Sequence, residues 1–328
     1  MGAVNAPTVP RLRRLALAVV VLAAVASLTT ACGDAAPRWV AAPSAPSVPS
    51  PVPPSSGVPT PSASGPSAAP SPAVPPGVTA AVAVFDRQTG TFTEQRNVTM
   101  RFRSASLVKL LIALDYLWSR GPDYAIPAAD RGRLDLMLRS SDDNAASYFY
   151  KLGGSGSVVT RMVTRLALKD TVPPPPERSG WGSTAISAAD LVRVYRYVLD
   201  TAPAPVRDYV MGSLRQSTRC GTDGFDQSFG IPSAFGRPYA VKQGWYEFGG
   251  KPVNRCVENT ASTSGPVIAP AANNVDWAGE VLHTTGTVGT GDRAIVVVLT
   301  VHRHGTAFAT ATAVLTRLTG SLRVPGRG

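Results

Sequence analysis

Apolar positions cluster unevenly along the chain, and the spacing within each cluster predicts its element. Thr79 to Asp86 is a strand-like run, Arg87-Gln88-Thr89-Gly90 is a turn signal, and Thr91 to Gln95 reads as the returning strand. Ala294 to Val301 is an unbroken, mostly β-branched run of the kind that fills a strand buried on both faces. A helical pattern, Ala307 to Leu318, follows it. The middle differs: Arg131–Leu138, Ala145–Leu152, Val158–Leu168, Ala188–Leu199 and Val206–Leu214 each repeat at helical spacing. Strands at both ends of a helical centre predict a sheet domain interrupted by a helical insertion.

One segment departs from the amphipathic pattern. From Ser106 to Trp118 apolar residues cover every face of the expected helix, as in a helix buried on all sides. Lys109 lies within it. A lysine in such a place needs a partner or a purpose, because desolvation opposes its charge.

Composition sets the ends apart. Arg11, Arg13 and Arg14 precede an uncharged run, Leu15 to Leu28, which has the length of a signal h-region and is short for a membrane span. The run leads into Leu28-Thr29-Thr30-Ala31-Cys32, which resembles a bacterial lipobox with Thr29 where the pattern prefers Leu. That resemblance implies a signal peptide over 1–31 and lipid on Cys32, hence an extracytoplasmic cell-membrane lipoprotein; plain secretion after Ala31 is the alternative. Ala41 to Gly77 holds 13 Pro and nine Ser among 37 residues, with no aromatic and no charge. Such a segment buries too little apolar surface to offset its conformational entropy, so residues 32–77 are expected to form an extended linker, at about 3.1 Å per residue. The folded domain is then 78–322.

Charge and cysteine content narrow the partners. The net charge is +11, but the basic residues are scattered and no aromatic-interleaved basic motif appears. For an exported chain this fits a basic surface among anionic envelope polymers, not a nucleic-acid partner. With Cys32 lipidated, Cys220 and Cys256 remain as a pair for a disulfide in an oxidising compartment. His283, His302 and His304 form no HExxH and there is no Cys-x-x-Cys, so neither a metal nor another cofactor is expected. His283-Thr284-Thr285-Gly286 is polar and is assigned no role.

The candidate chemistry starts at Ser106-Leu107-Val108-Lys109. Residues three apart share a helix face, so the lysine amine can approach the serine hydroxyl, and an amine of depressed pKa can take its proton. The chain has five lysines, and this one lies in its most hydrophobic helix. The segment Arg101 to Leu111 resembles the nucleophile segment of class A β-lactamases and low-molecular-weight penicillin-binding proteins, which carry S-x-x-K, S-D-N and K-T-G in this order. Ser140-Ser141-Asp142-Asp143-Asn144 is similar to the second motif. Its ungapped register places Ser141 on the family serine and Asp143 on the family Asn; the other register uses Asn144. A plain helix cap is the structural alternative for this segment. Lys242-Gln243-Gly244-Trp245 is similar to the third motif.

The resemblance implies an α+β, β-lactamase/transpeptidase-like fold, with an antiparallel sheet flanked by helices (78–122 and 226–322) and an inserted all-helical part (123–225). It implies that Ser106 is the nucleophile, Lys109 its base and Ser141 a proton relay to the leaving nitrogen. Asp143, Asn144, Lys242, Gln243, Gly244 and Trp245 would then bind substrate: Lys242 its carboxylate, Gly244 by allowing close approach, and the Trp245 backbone N–H with that of Ser106 as an oxyanion hole. Gln243 replaces the family Thr. No Glu-x-x-x-Asn follows Leu168, which leaves Glu177 as the candidate deacylation base. Gly182 to Asp190 and Phe229 to Pro232 extend the resemblance. The implied substrate is a β-lactam or a cell-wall peptide amide, and the protein is expected to be a monomer. The alternative is an inactive member of the fold used as an envelope binding or scaffolding module.

Overall fold

The computed structural model describes residues 73–257 and 275–326. The expected signal segment, Cys32 and nearly all of the Pro-rich linker lie outside the described residues. Seven strands are present among the described residues: β1 (Val78–Asp86), β2 (Thr91–Arg96), β3 (Arg101–Arg103), β4 (Ala185–Ser187), β5 (Tyr239–Tyr246), β6 (Glu280–Val288) and β7 (Ala294–His302). Five form an antiparallel sheet in the order β2-β1-β7-β6-β5, and β3 pairs with β4 in a short separate ladder. The first and last strands of the domain pair along their whole length, Val78 opposite His302 and Asp86 opposite Ala294. Everything between them is an excursion from that pair.

The unbroken apolar run of β7 has two faces to fill. Ile295, Val297, Leu299 and Val301 join Ala81, Ala83 and Phe85 of β1 against the helical part. Ala294, Val296 and Val298 join Ala80, Val82 and Val84 on the opposite face. That second face is covered by Ala311, Leu315 and Leu318 of the C-terminal helix, Phe308–Gly320. The period-two alternation expected of a strand is therefore present, but both phases are apolar.

The helices are α1 (Lys109–Trp118), α2 (Ala128–Arg139), α3 (Asp143–Leu152), α4 (Gly156–Arg165), α5 (Ala188–Arg196), α6 (Ala204–Arg215), α7 (Ile231–Ala234) and α8 (Phe308–Gly320). The expected helices are all present, with ends shifted by a few residues. Helix α1 packs against α2, α3, α4 and α6, which explains why it is apolar all round. Its buried Asp115 is neutralised by a two-pronged pair with Arg161, at 2.8 and 2.6 Å. The segment Ser106–Trp118 is not one helix. Ala105 has φ of +46°, and Ala105–Val108 forms a tighter 3₁₀ turn before α1 begins.

Strand β6 was not legible in the pattern. His283-Thr284-Thr285-Gly286 is polar and was assigned no role, yet the strand is buried along its full length. The three threonines find bonds instead of water: Thr285 donates to the Lys242 carbonyl at 3.1 Å, Thr284 accepts from the Ile231 N–H at 3.1 Å, and Thr287 donates to Asp292 at 2.7 Å. The Gly286 position is filled closely, since a Cβ there would lie 1.9 Å from the Ala240 carbonyl oxygen of β5.

Candidate active site

The nucleophile segment is held from below by His283. Its Nδ1 accepts the Thr300 N–H at 3.2 Å, so its proton sits on Nε2 and is donated to the Arg103 carbonyl at 2.8 Å. Burial pushes this imidazole down to a pKa of about 4, which keeps it neutral. From Arg103 the chain turns sharply through Ala105 in the left-handed region, a strained placement for a residue with a Cβ. Ser106 follows at the floor of a cleft of about 370 Å³. Across it, Gly244 of β5 is packed on this turn: a Cβ would meet the Ser104 carbonyl oxygen at 3.1 Å and Leu107 Cγ at 3.2 Å. Gly244 was expected to let substrate approach the strand closely; its Cβ side faces this turn. Contact with the nucleophile turn fills it, so the glycine serves to bring β5 and the turn together.

The helical register brings Lys109 back to the serine, with Nζ 2.8 Å from Ser106 Oγ. Lys109 is fully buried and also donates to the Ser141 carbonyl at 2.5 Å, and it lies 3.3 Å from Ser141 Oγ. Lys242 Nζ reaches Ser141 Oγ from the opposite side at 2.8 Å. A continuous chain of polar contacts thus runs Ser106–Lys109–Ser141–Lys242. Desolvation pulls the Lys109 pKa down, opposed by the Asp143 carboxylate 2.6 Å away. Lys242 is pulled well below the usual lysine range, first by burial and then by the charge of Lys109.

The turn before α3 serves two purposes at once. Asp142 caps the helix by accepting the Ala145 N–H at 2.7 Å, while Ser141, with φ of +57°, points into the site. Of the two registers, Asp143 is the residue in contact with Lys109; Asn144 is exposed and has no bond to the site residues.

Two other expected residues are not brought in. The Gln243 side chain is buried and turned away, donating to the carbonyls of Gln227 and Phe229 at 3.0 and 2.5 Å. Successive side chains of a strand alternate faces, so with Lys242 in the site its neighbour points to the other side of the sheet. Glu177 is exposed in a short turn, Pro176–Arg178, and does not line the cleft. The wall beside Lys109 is instead Trp181, whose ring centre lies 4.8 Å from Lys109 Nζ and whose Nε1 donates to Ser147 at 3.1 Å.

Asp223 lines the cleft without any motif to announce it. Its carboxylate accepts from the Phe225 N–H at 3.1 Å and from Trp245 Nε1 at 2.9 Å, and burial raises its pKa. The expected disulfide, Cys220–Cys256, is formed beside it, and the Cys256 N–H donates to the Gly224 carbonyl at 2.7 Å. Only the cysteine pair hinted at this turn, because Asp223 meets Ser106 through the tertiary fold. Among the described residues, no group of three or more His, Cys, Asp or Glu is placed to hold a metal ion.

No family model matches the chain. Over 174 residues it is 41% identical to curated relatives carrying the name lipoprotein LppW, from Mycobacterium tuberculosis and Mycobacterium bovis, a match that takes in 52% of this chain. The chain spans about half the length of these relatives, 54%. Among solved structures, PBP-A aligns over 75% of this chain and 88% of its own, with a TM-score of 0.53 and 14% identity. A mutant of PBP-A has been solved as an acyl-enzyme complex with penicillin G. A β-lactamase from Xanthomonas campestris aligns over 76% of this chain and 92% of its own, with a TM-score of 0.54 and 13% identity. These likenesses show the fold alone: the chain has an α+β, β-lactamase/transpeptidase-like fold.

Proposed function

We propose that the protein is an envelope lipoprotein, tethered through Cys32 and its linker, whose domain is acylated at Ser106 by a β-lactam or a cell-wall peptide amide. The observation that carries this reading is the buried contact chain Ser106–Lys109–Ser141–Lys242, whose Ser106 end lines an open cleft. The name of the LppW relatives supports the tether.

In this mechanism the neutral Lys109 amine takes the Ser106 proton as Oγ bonds to the carbonyl carbon. Backbone N–H groups of Ser106 and Trp245 hold the developing oxyanion; β5 is the edge strand of the sheet, and an edge strand has N–H groups with no sheet partner. When the C–N bond breaks, the proton passes from Lys109 through Ser141 to the leaving nitrogen. Lys242 orients Ser141 by donating to its Oγ. The acyl-ester then persists: the wall beside Lys109 carries the Trp181 indole, and Glu177 is out of reach of an attacking water.

The Asp143–Lys109 ion pair favours a second reading, an acylation-incompetent binding module, because a carboxylate at 2.6 Å stabilises the protonated lysine. Labelling with a fluorescent penicillin separates the two. Wild-type protein is expected to carry the label and Ser106→Ala to carry none at an unchanged melting temperature. Labelling of both would show that the nucleophile is another residue, and labelling of neither would favour the binding module.

A further inference from the structure

The cleft has a second charged end. Arg103, three residues before the nucleophile, lines it with its side chain only 5% exposed. The guanidinium is stacked on Tyr246, 3.3 Å from the ring centre. It makes two long hydrogen bonds, to Glu247 Oε1 and to Ser183 Oγ, both at 3.3 Å. Its Nε has no partner among the described residues. Charge-assisted bonds of arginine run about 2.7–2.9 Å, and burying an unpaired guanidinium donor is costly, so this fork is only partly satisfied. Arg178 lines the same end, and both guanidinium groups lie beside Trp277, at 5.8 and 5.7 Å. Against two arginines, Glu247 is the one carboxylate paired at this end among the described residues.

The position of this end relates it to the reaction. Ser141 delivers the proton to the leaving nitrogen and is bonded to Lys242, so the leaving portion of a substrate lies toward Lys242. Tyr246 is four residues further along β5, about 13 Å at strand spacing. The acyl portion therefore extends toward Tyr246 and Arg103.

We propose that Arg103 forms a subsite for an anionic group on the acyl portion of the substrate, so that preferred acyl donors carry a carboxylate there. Glu247 shows that the fork accepts a carboxylate, and it occupies one arm until substrate replaces it. The orientation rests on Ser106 acting as proposed; the anion site rests on Arg103 alone.

Benzylpenicillin and α-carboxybenzylpenicillin differ by one carboxylate on the acyl side chain. With the purified full chain, the carboxylated compound is expected to acylate roughly tenfold faster, measured by intact mass, as a charged hydrogen-bond pair would give. Arg103→Met removes that preference while acylation by benzylpenicillin continues, which also shows that the variant is folded. Glu247→Gln, which leaves Arg103 in place, increases the preference. The same pair is titrated into Ser106→Ala to read binding without chemistry. Carboxylate-selective binding there, without acylation of wild type, would sink the nucleophile and keep the anion site. Acylation without selectivity would do the reverse. Lack of selectivity in both assays, including lack of any binding, overturns the subsite.

Discussion

Lys109 is held between opposing influences, and the balance decides whether it can act as a base. Full burial favours the neutral amine, while Asp143 at 2.6 Å favours the ammonium. Asp143 is 67% exposed, so solvent screens its effect. Removing that carboxylate leaves desolvation less opposed and lowers the lysine pKa further. Asp143→Asn is therefore expected to move the rising limb of the acylation pH profile to lower pH, with severalfold faster adduct formation on its acid side. An unchanged profile would mean that Lys109 does not take the proton. At this scale the sequence is a good guide only where contacts are local. Ser106 and Lys109 are three residues apart, so helical periodicity alone places them together. Asp223 reaches the cleft from more than 100 residues away through a turn with no regular pattern, and nothing near it in the chain predicts its neighbours. The Gln243 side chain was misplaced for a different reason: a motif match assigns identity to a position, whereas strand alternation assigns its direction.

Among the elements, the strands differ in how they announce themselves. β1 and β7 are apolar and legible, whereas β6 is equally buried but carries His and Thr groups satisfied by specific partners. Burial by hydrogen bonding leaves no trace in a hydrophobic pattern. The 3₁₀ turn before α1 was hidden likewise, since the left-handed Ala105 is imposed by packing. The turn holding Asp223 is clipped by Cys220–Cys256, which spans 36 residues of chain. In the chain-entropy model such a crosslink contributes about 4 kcal/mol. Reduction is expected to lower the melting temperature by many degrees and to slow acylation, because Asp223 and its hydrogen bond to Trp245 lose their anchor. A melt unaffected by reductant, with both thiols shown to be released, would contradict this.

For the whole molecule, the pairing of the first and last strands explains why sheet signals bracket a helical centre. The helical part and the sheet meet at the buried turn of Ser106, and His283 ties the two together from within. His283 and His302 are both pushed down to pKa values of about 4 from an ordinary 6.5, chiefly by burial. The unfolded chain binds these protons more readily than the folded one. The stability that the neutral rings contribute is therefore complete above about pH 6.5 and is lost as pH falls toward 4, on the order of 3 kcal/mol for His283 alone. Chemical denaturation is expected to show stability falling already between pH 6.5 and 5, above the range in which ordinary carboxylates titrate. A flat stability across that window would mean that the rings are protonated in the fold.

The most direct test of the account follows adduct and turnover together. The full chain is incubated with a chromogenic cephalosporin while intact mass and hydrolysis are recorded on the same sample. One covalent acyl group on Ser106, formed stoichiometrically and persisting with little further colour, is the predicted result. Sustained turnover without an accumulated adduct would contradict the shielded acyl-ester, and the absence of both adduct and turnover would contradict Ser106 as a working nucleophile.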